Sequence, residues 1–414
     1  MMRLLILSDS PYYYPPFRAG GSVRQLRALA RTLRQQGLAV TVVARRADGA
    51  NVDPDIVDDG APIRYLGPAG EQRGKGWAAL LPNLLYMLRV FAFMLASRHS
   101  FDVVVISGFR LLAAPAGLAA RLLGKRCVLR IENANDVTFD LTAQSSANMH
   151  RWGQRAVSGA IRVLCWSAFR TADRVVAFCP DIAVRLKDIG APARKIAQIP
   201  NGVDCAEFAP VSAERKLALR VQLALPTDSI LFIFTGRLAH SKGIMSLLES
   251  WRLLAQERSN LQLLLLGSGG DSFDSCELAA RGYVAAHALQ DSVAFCGGVD
   301  DVAEYLQAAD VFISLSEAES FGVSILEAFA VGLPSVLTPV GVAADLPPSD
   351  WGESVAVGAP AREVLAHLQR LLERRDAWTR MAMETRRIVG DDYSFDVIAR
   401  AYCALLGPTV PDPT

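Results

Sequence analysis

Two permanently charged cations lie in one short loop of the sequence. Residues 236–243 follow an apolar run at 230–235 and include Arg237 and Lys242. The planar fork of a guanidinium and the compact charge of an ammonium together suit the oxygens of a diphosphate. His240 lies between the two cations and is expected to face solvent. The loop therefore predicts a site for an anionic ligand, with a solvated surface loop as the alternative.

A longer motif at residues 317–334 combines two carboxylates with the start of a helix. A helix N-terminus presents unpaired N–H groups, so the backbone at Gly322 and Val323 can receive phosphate oxygens. Glu327 follows Glu319 by about two turns and has apolar neighbours on both sides. A carboxylate in such surroundings is unfavourable unless polar groups meet it, and ribose hydroxyls would do so. The alternative is that Glu327 is an exposed glutamate on the helix and that Glu319 only caps the helix N-terminus.

A glycine cluster follows a third apolar run. Residues 261–266 lead into Gly267-Ser268-Gly269-Gly270. Backbone without a Cβ can approach a ligand closely, although such a cluster is often only a tight turn. This signal is weak by itself.

The elements that must position these loops follow an alternating pattern. Short β-branched runs alternate with helical patterns, which is typical of α/β domains with parallel sheets. A first sheet is predicted from runs at 4–7, 40–44, 103–106, 127–131 and 174–178. A second sheet is predicted from runs at 230–235, 261–266, 293–296, 311–315 and 335–337. Open parallel sheets bind ligands at the carboxyl ends of their strands, where all three loops begin.

The chain length predicts two domains. A chain of 414 residues exceeds the usual size of one compact core. Turn-forming residues at 199–210 mark the boundary. We expect a first domain at 1–205 and a second at 206–390, followed by a helix within 391–406 and a disordered tail at 407–414.

Composition argues against several classes of protein. The 43 basic and 42 acidic residues nearly cancel, so no nucleic-acid partner is expected. Seven cysteines are scattered without zinc or redox spacing, and residues 1–8 lack a signal-peptide pattern, which together indicate the cytoplasm. No cofactor is expected. The metal candidate, Asp53-Pro54-Asp55, lies in a polar stretch that favours a solvated loop.

One apolar segment complicates this interpretation. Residues 77–96 are nearly long enough to span a bilayer, but Pro82, Asn83 and Arg89 interrupt them. A buried helix is the first expectation. Attachment to a membrane surface comes second, and a spanning helix last.

Taken together, these motifs resemble retaining glycosyltransferases of family 4. The likeness rests on Glu319 and Glu327 with seven residues between them, the run Ala328-Phe329-Ala330-x-Gly332-x-Pro334, and the upstream pairs Gly236-Arg237 and Lys242-Gly243. Looser likenesses occur at Gly20-Gly21, at 200–204 and at 309–312. The resemblance implies the B-type fold of this family, in which two Rossmann-like domains with parallel sheets face each other across a cleft. It also implies a terminal helix, at 396–406, that returns to the first domain.

The resemblance further implies a role for each motif residue. Arg237 and Lys242 would neutralise the donor diphosphate. Glu319 would contact the transferred sugar and Glu327 the ribose. The pair Gly20-Gly21 would close over the donor from the first domain. The other donor-binding residues implied are Gly236, Gly267, Ser320, Phe321, Gly322 and Val323.

The acceptor side departs from the family pattern. Many relatives place a histidine after a strand of the first domain, whereas residues 130–136 of this chain contain none. Glu132 and Asp136 are candidates for acceptor contact, with loop or capping roles as the alternative. His150 is a further candidate, although an ordinary surface position is expected for it.

The function implied by the resemblance is transfer of a hexosyl group from a nucleoside-diphosphate sugar, without a metal and with retention of configuration. The expected acceptor is a glycan or a lipid-linked precursor in envelope, lipopolysaccharide or exopolysaccharide assembly. Peripheral contact with the inner face of the membrane fits that setting. The alternatives are a nucleotide-sugar 2-epimerase on the same scaffold and a catalytically silent nucleotide-sugar-binding subunit.

Overall fold

The computed structural model describes residues 1–8, 21–45, 57–66, 77–108, 112–131, 163, 166–270 and 274–407. The chain divides into two compact units. The N-terminal unit comprises Met1–Asn201 together with Phe395–Thr414, and the C-terminal unit comprises Gly202–Ser394. Each unit contains one sheet covered by helices, which is the α/β class predicted.

The N-terminal unit is built on an eight-stranded sheet. Its strands are β1 Arg3–Ser8, β2 Ala39–Arg45, β3 Val57–Asp58, β4 Ala61–Leu66, β5 Val103–Ser107, β6 Arg126–Ile131, β7 Arg174–Ala177 and β8 Ile196–Gln198. Their order is β3-β4-β2-β1-β5-β6-β7-β8, and only β3 with β4 is antiparallel. All five predicted strands are confirmed. The sequence pattern does not indicate β3, β4 and β8, because two are very short and β4 contains Pro62.

Among the described residues before 202, four helices of this unit have defined bounds, and a further helical segment covers 166–171. The four helices are α1 Gly21–Gln35, α2 Trp77–Ala96, α3 Ala113–Leu122 and α4 Pro180–Asp188. The apolar positions of α1 are buried as its 3.6-residue period requires, and Leu33 is fully enclosed. Gly37, just beyond the helix, adopts the left-handed conformation of a C-terminal cap, with φ +88°.

The apolar segment at 77–96 forms α2, and from Leu84 onward, where side-chain burial is described, only one face of this helix is buried. Tyr86, Val90 and Met94 recur at every fourth position and are at most 2% exposed. On the opposite side, Leu84 and Leu88 are 51% and 57% exposed. The expectation of a buried helix is therefore only half correct. In the part of the chain that the structure describes, no helix has the length and apolar character needed to cross a membrane.

The C-terminal unit is built on a six-stranded parallel sheet. Its strands are β9 Ile230–Thr235, β10 Leu261–Leu266, β11 Val293–Gly297, β12 Val311–Ser314, β13 Ser335–Leu337 and β14 Gly352–Ser354. Their order is β11-β10-β9-β12-β13-β14. The five predicted strands are confirmed. The sequence pattern does not indicate β14, whose three residues are Gly, Glu and Ser.

Helices pack on both faces of this sheet. They are α5 Ala213–Gln222, α6 Ile244–Glu257, α7 Glu277–Ala286, α8 Val302–Ala308, α9 Val323–Val331, α10 Ala361–Glu373 and α11 Trp378–Ile388. The indole of Trp251 in α6 meets the ring of Phe232 in β9 edge-on, with centroids 5.3 Å apart. This contact lies in the core beneath β9, the strand that leads into the first candidate loop.

The last helix, α12 Phe395–Leu406, groups with the N-terminal unit. It packs on α1 and buries Tyr402. The guanidinium of Arg126 donates to the carbonyls of Leu405 and Leu406, over 2.9 and 2.5 Å. A cation at the negative end of a helix dipole is stabilising, so Arg126 fixes this helix to the first sheet. The predicted helix at 396–406 is present, and residues 408–414 of the predicted tail lie outside the described residues.

Candidate functional site

Three neighbouring strands of the C-terminal sheet place the predicted loops at one edge. β9 lies between β10 and β12 and runs parallel to both. Their carboxyl ends therefore lie side by side, and the loops at 236–243, 267–270 and 315–322 begin there. The fold brings together three motifs that lie about 30 to 80 residues apart in the sequence.

Lys242 and Glu319 form an ion pair at this edge. Lys242 Nζ lies 2.6 Å from Glu319 Oε1, and the two side chains are 18% and 12% exposed. The Ser316 hydroxyl donates to the same carboxylate oxygen over 2.9 Å. Both side chains are mostly shielded from solvent but can still be reached by it, so removing either one would leave the other charge without its partner. The residues expected to contact a diphosphate and a sugar are therefore in direct contact with each other.

Buried hydroxyl groups hold Glu319 from behind. Ser314 and Ser316 are 3% and 0% exposed, and their Oγ atoms lie 3.2 Å apart. Thr338 Oγ1 donates to the Ser316 carbonyl over 2.6 Å. Sequence reasoning missed these residues. The signal that could have revealed them is the serine pair flanking Leu315, because small polar side chains ending an apolar strand add little to a core.

The loop that contains Lys242 is tied to both of its neighbours. The amide of Glu317 donates to the Ser241 carbonyl over 2.9 Å. The hydroxyl and amide of Ser241 donate to Asp274 Oδ2, over 2.5 and 3.2 Å. The backbone that precedes Lys242 is thus held by hydrogen bonds on two sides of its loop.

Asp274 is a further residue that sequence reasoning missed. The hydrogen bond from the Ser241 hydroxyl lowers the pKa of the Asp274 carboxyl, and the charges of His240 and Arg237 act in the same direction. His240 and Arg237 are both exposed, as expected for His240. Asp274 therefore adds a negative charge within electrostatic reach of the predicted phosphate-binding cations.

Glycines let these loops approach one another. A Cβ at Gly267 would lie 1.8 Å from the Gly236 carbonyl oxygen, and a Cβ at Gly243 would lie 2.1 Å from the Leu315 carbonyl oxygen. Both glycines also have positive φ, +129° and +69°. Loop packing alone therefore requires glycine at these positions, so the tight-turn alternative accounts for Gly267 without a ligand.

The predicted helix start is the N-terminus of α9. Gly322 precedes the helix with φ +87°, and Val323 is its first residue. Phe321 is buried, whereas Ser320 is partly buried. Glu327 is also partly buried, between fully buried neighbours on the same helix. This environment differs from the exposed helical glutamate of the alternative and fits a carboxylate that meets other polar groups.

Several predicted residues cannot be placed relative to this edge. Gly20, Glu132, Asp136, His150 and the Asp53-Pro54-Asp55 motif lie outside the described residues. Gly21 is the exposed first residue of α1. In the ranges that the structure describes, no cluster of three or more His, Cys, Asp or Glu side chains could hold a metal ion.

The carboxyl edge of the N-terminal sheet contains a buried arginine. Arg130, near the end of β6, is 3% exposed and donates to Ser107 Oγ over 3.2 Å and to Asn201 Oδ1 over 3.1 Å. Its guanidinium also lies over the Phe178 ring, 4.7 Å from the centroid. Sequence reasoning noted Arg130 only as the start of the 130–136 segment. Its burial makes it an anchor at the end of β6.

The arrangement in the C-terminal unit suits an anionic ligand with an attached polyol. Arg237, Lys242 and the amides at the start of α9 offer positive charge and hydrogen-bond donors to phosphate. Glu319 and Glu327 offer acceptors for hydroxyl groups. These groups belong to the loops that leave β9 and β12 or, for Glu327, to the second turn of α9.

Known proteins with similar sequences are glycosyltransferases. The family model described as "Glycosyl transferases group 1" matches residues 216–387, and the "Glycosyl transferase 4-like domain" matches 20–202. A D-inositol 3-phosphate glycosyltransferase from Kineococcus radiotolerans is 33% identical over 351 residues, covering 82% of this chain and 77% of that protein. The lipopolysaccharide core biosynthesis glycosyltransferase LpsE from Rhizobium meliloti is 29% identical over 241 residues, covering 58% and 66%.

A solved structure shares the architecture over almost the whole chain. HepE from Anabaena, in complex with UDP-glucose, superposes with a TM-score of 0.74 over 98% of this chain and 99% of that chain. The two sequences are 17% identical, so the likeness concerns the fold alone. It confirms the predicted two-domain, B-type fold.

Proposed function

Because this chain belongs to the glycosyl transferases group 1 family, we propose that it transfers a hexosyl group from a nucleoside-diphosphate sugar with retention of anomeric configuration. The observation that supports this most directly is the Lys242–Glu319 pair beside the N-terminus of α9. HepE, which has the same fold, was solved with UDP-glucose, a donor of the proposed class.

The proposed donor places its diphosphate against Arg237 and Lys242. Breaking the bond from the anomeric carbon to the diphosphate oxygen builds positive charge on the carbon and negative charge on the leaving group. Fixed cations and helix amides therefore stabilise the transition state more than the bound donor. The acceptor hydroxyl bonds to the same face of the carbon, and its proton passes to a donor phosphate oxygen. Neither a metal nor a cofactor takes part in this scheme.

The ion pair lets one cation serve two groups. When the diphosphate binds, Lys242 gains a second anionic partner, while Ser316 continues to donate to Glu319. Glu319 is then oriented toward the sugar by a fixed hydrogen bond and does not need to reorganise. Glu327, on the first turns of α9, contacts the ribose hydroxyls in this scheme.

The proposed acceptor is a glycan or a lipid-linked precursor in envelope, lipopolysaccharide or exopolysaccharide assembly at the cytoplasmic face of the membrane. The similarity to LpsE and the outward leucines of α2 support this setting. Glu132, Asp136 and His150 remain the candidates for acceptor contact.

Thermal-shift measurements with a panel of nucleoside diphosphates test the donor site. One of them, at a hundredfold excess over its dissociation constant and without metal, should stabilise the folded chain by about 2.7 kcal/mol. The matching nucleotide sugars are then incubated with and without acceptors, and with a chelator. Transfer that needs the acceptor and survives the chelator supports the proposal. No shift with any nucleotide, or a changed sugar without acceptor as a 2-epimerase would give, contradicts it.

A further inference from the structure

The outer sides of α2 and α3 expose a group of leucines that the proposed transfer reaction does not use. They are Leu84, Leu85, Leu88 and Leu95 of α2, with Leu118 and Leu122 of α3, between 36% and 66% exposed. We call these six residues the leucine face. Helices on the surface of a protein in water normally direct polar side chains outward. Among the described residues, no other pair of adjacent helices exposes so many large apolar side chains.

The topology places both helices in one layer. α2 connects β4 to β5, and α3 connects β5 to β6, so both crossovers run in the same direction along the sheet. Right-handed crossovers in the same direction lie on the same side of a sheet. The two helices also pack against each other. Their exposed leucines therefore lie on the same side of the sheet, on two helices that contact each other.

The exposed leucines of α2 are aligned along the helix. At 100° per residue, Leu84, Leu88 and Leu95 fall within about 40° of one another around the axis. They lie opposite the buried stripe that contains Tyr86 and Val90. The helix is thus apolar on two sides, and packing on the sheet explains only one of them.

The segment that contains the leucine face has an excess of basic residues, of which Arg126 donates to the last carbonyls of α12 and Arg110 lies outside the described residues. Residues 77–126 contain six basic side chains and one acidic one, Asp102. Asp102 is paired with Arg3 at 2.6 Å, so its charge is locally compensated. Arg89, Arg98 and Arg121 are exposed. Apolar side chains flanked by cations are complementary to a bilayer with anionic headgroups.

We propose that the leucine face docks this protein on the surface of an anionic lipid bilayer. The leucines enter the boundary between headgroups and acyl chains, and the arginines lie at the level of the lipid phosphates. Docking at this surface would bring the proposed donor site to a lipid-linked acceptor, and in this respect it rests on the proposed function. Docking itself requires no transfer reaction, so the two proposals can fail separately.

Vesicle sedimentation of the 414-residue chain tests the docking surface. Phosphatidylcholine vesicles with and without phosphatidylglycerol are compared for the unchanged chain and two double variants, Leu84→Gln with Leu88→Gln and Leu118→Gln with Leu122→Gln. The matched control is Leu217→Gln with Val221→Gln in α5, where the side chains are 50% and 68% exposed. Each leucine-face variant should reduce partitioning into anionic vesicles about tenfold or more, and the control should not.

Further measurements separate the possible outcomes. High salt should weaken binding of the unchanged chain, because the arginine contribution is screened. Nucleotide-induced thermal shifts should be equal in all variants, which shows that each one folds. The proposal would be overturned if the control variant lost as much vesicle binding as the leucine-face variants. It would also be overturned if those variants lost self-association in place of vesicle binding, or if the chain stayed on the vesicles after a carbonate wash. A chain that binds vesicles through these leucines but binds no nucleotide would refute the proposed function and leave the docking surface intact.

Discussion

The carboxyl edges of the two sheets contain polar clusters that differ in charge and burial. In the C-terminal unit, Lys242 and Glu319 form an ion pair that stays 18% and 12% exposed. In the N-terminal unit, Arg130 is 3% exposed and donates to two neutral side chains, those of Ser107 and Asn201. One cluster can still be reached by a ligand, whereas the other is enclosed.

This difference indicates that the two polar clusters have different roles. In an ion pair near the surface, the carboxylate already replaces part of the water around the ammonium. A ligand anion that binds the ammonium therefore displaces little further water from it. An enclosed guanidinium mainly orients the strand ends and loops around it. We therefore expect changes in the C-terminal cluster to alter catalysis, and changes in the N-terminal cluster to alter stability.

The largest effect is expected for Lys242→Ala. It removes a cation from the diphosphate and leaves Glu319 without its 2.6 Å partner, so kcat/KM should fall roughly a hundredfold to a thousandfold. The matched control is Lys216→Ala, since Lys216 forms a similar pair with Asp310 at 2.7 Å. Steady-state kinetics measure kcat/KM for both variants. Equal losses in the two would show that the effect comes from removing a positive charge in general and not from contact with the diphosphate.

Glu319→Gln should act mainly on turnover. The change keeps the side-chain size but removes the charge next to the reacting sugar, so kcat should fall roughly tenfold to a hundredfold. Affinity for the bare nucleoside diphosphate should stay nearly unchanged. Glu317→Gln, at an exposed position two residues earlier, is the control and should leave both quantities unaltered. Loss of nucleotide binding in Glu319→Gln would contradict the assignment to the sugar.

Arg130→Met should lower stability rather than nucleotide affinity. It leaves the buried polar atoms of Ser107 and Asn201 without their donor, so the free energy of unfolding should fall by about 2 kcal/mol. Urea denaturation measures this change, and titration with nucleoside diphosphate measures affinity. A drop in affinity as large as that of Lys242→Ala would remove the distinction between the two edges.

Glu327→Gln should produce a smaller change, seen mostly in KM. Hydrogen bonds to the ribose exist in the bound donor and in the transition state alike. Weakening them therefore reduces the stabilisation of both states by the same amount. KM for the donor should rise about tenfold while kcat changes little. If neither parameter moves, Glu327 does not contact the donor.

The smallest effect is expected for Asp274→Asn, and it should depend on pH. The Ser241 hydrogen bond lowers the pKa of Asp274 in the folded state. This contribution to stability is therefore present above the unfolded pKa of about 3.9 and is lost as the pH falls through the lower, folded value. Melting temperatures of the unchanged chain and the variant should differ at neutral pH and converge in acid. A difference that is the same at every pH would exclude the charge as its cause.

The sequence was most informative where one short segment contained both the element and its chemistry. The motif at 317–334 shows the end of β12, the start of α9 and both glutamates in a single stretch. It could not reveal the part of Thr338 in supporting Glu319, because Thr338 reaches Ser316 only through the pairing of β12 with β13. Asp274 was missed for the same reason, since its partner Ser241 is 33 residues away.

Local patterns in the sequence alone were sufficient to predict the α/β class, ten strands of the two sheets and the start of α9, and they nominate residues for a diphosphate, which stays a prediction. These follow from periodicity and side-chain chemistry, which act over a few residues. Only the tertiary structure showed that Lys242 pairs with Glu319, that Gly267 is required by the Gly236 carbonyl, and that α2 exposes its leucines. These three observations depend on which strands become neighbours and on which face of a helix the sheet covers. Packing between segments distant in sequence decides these two factors.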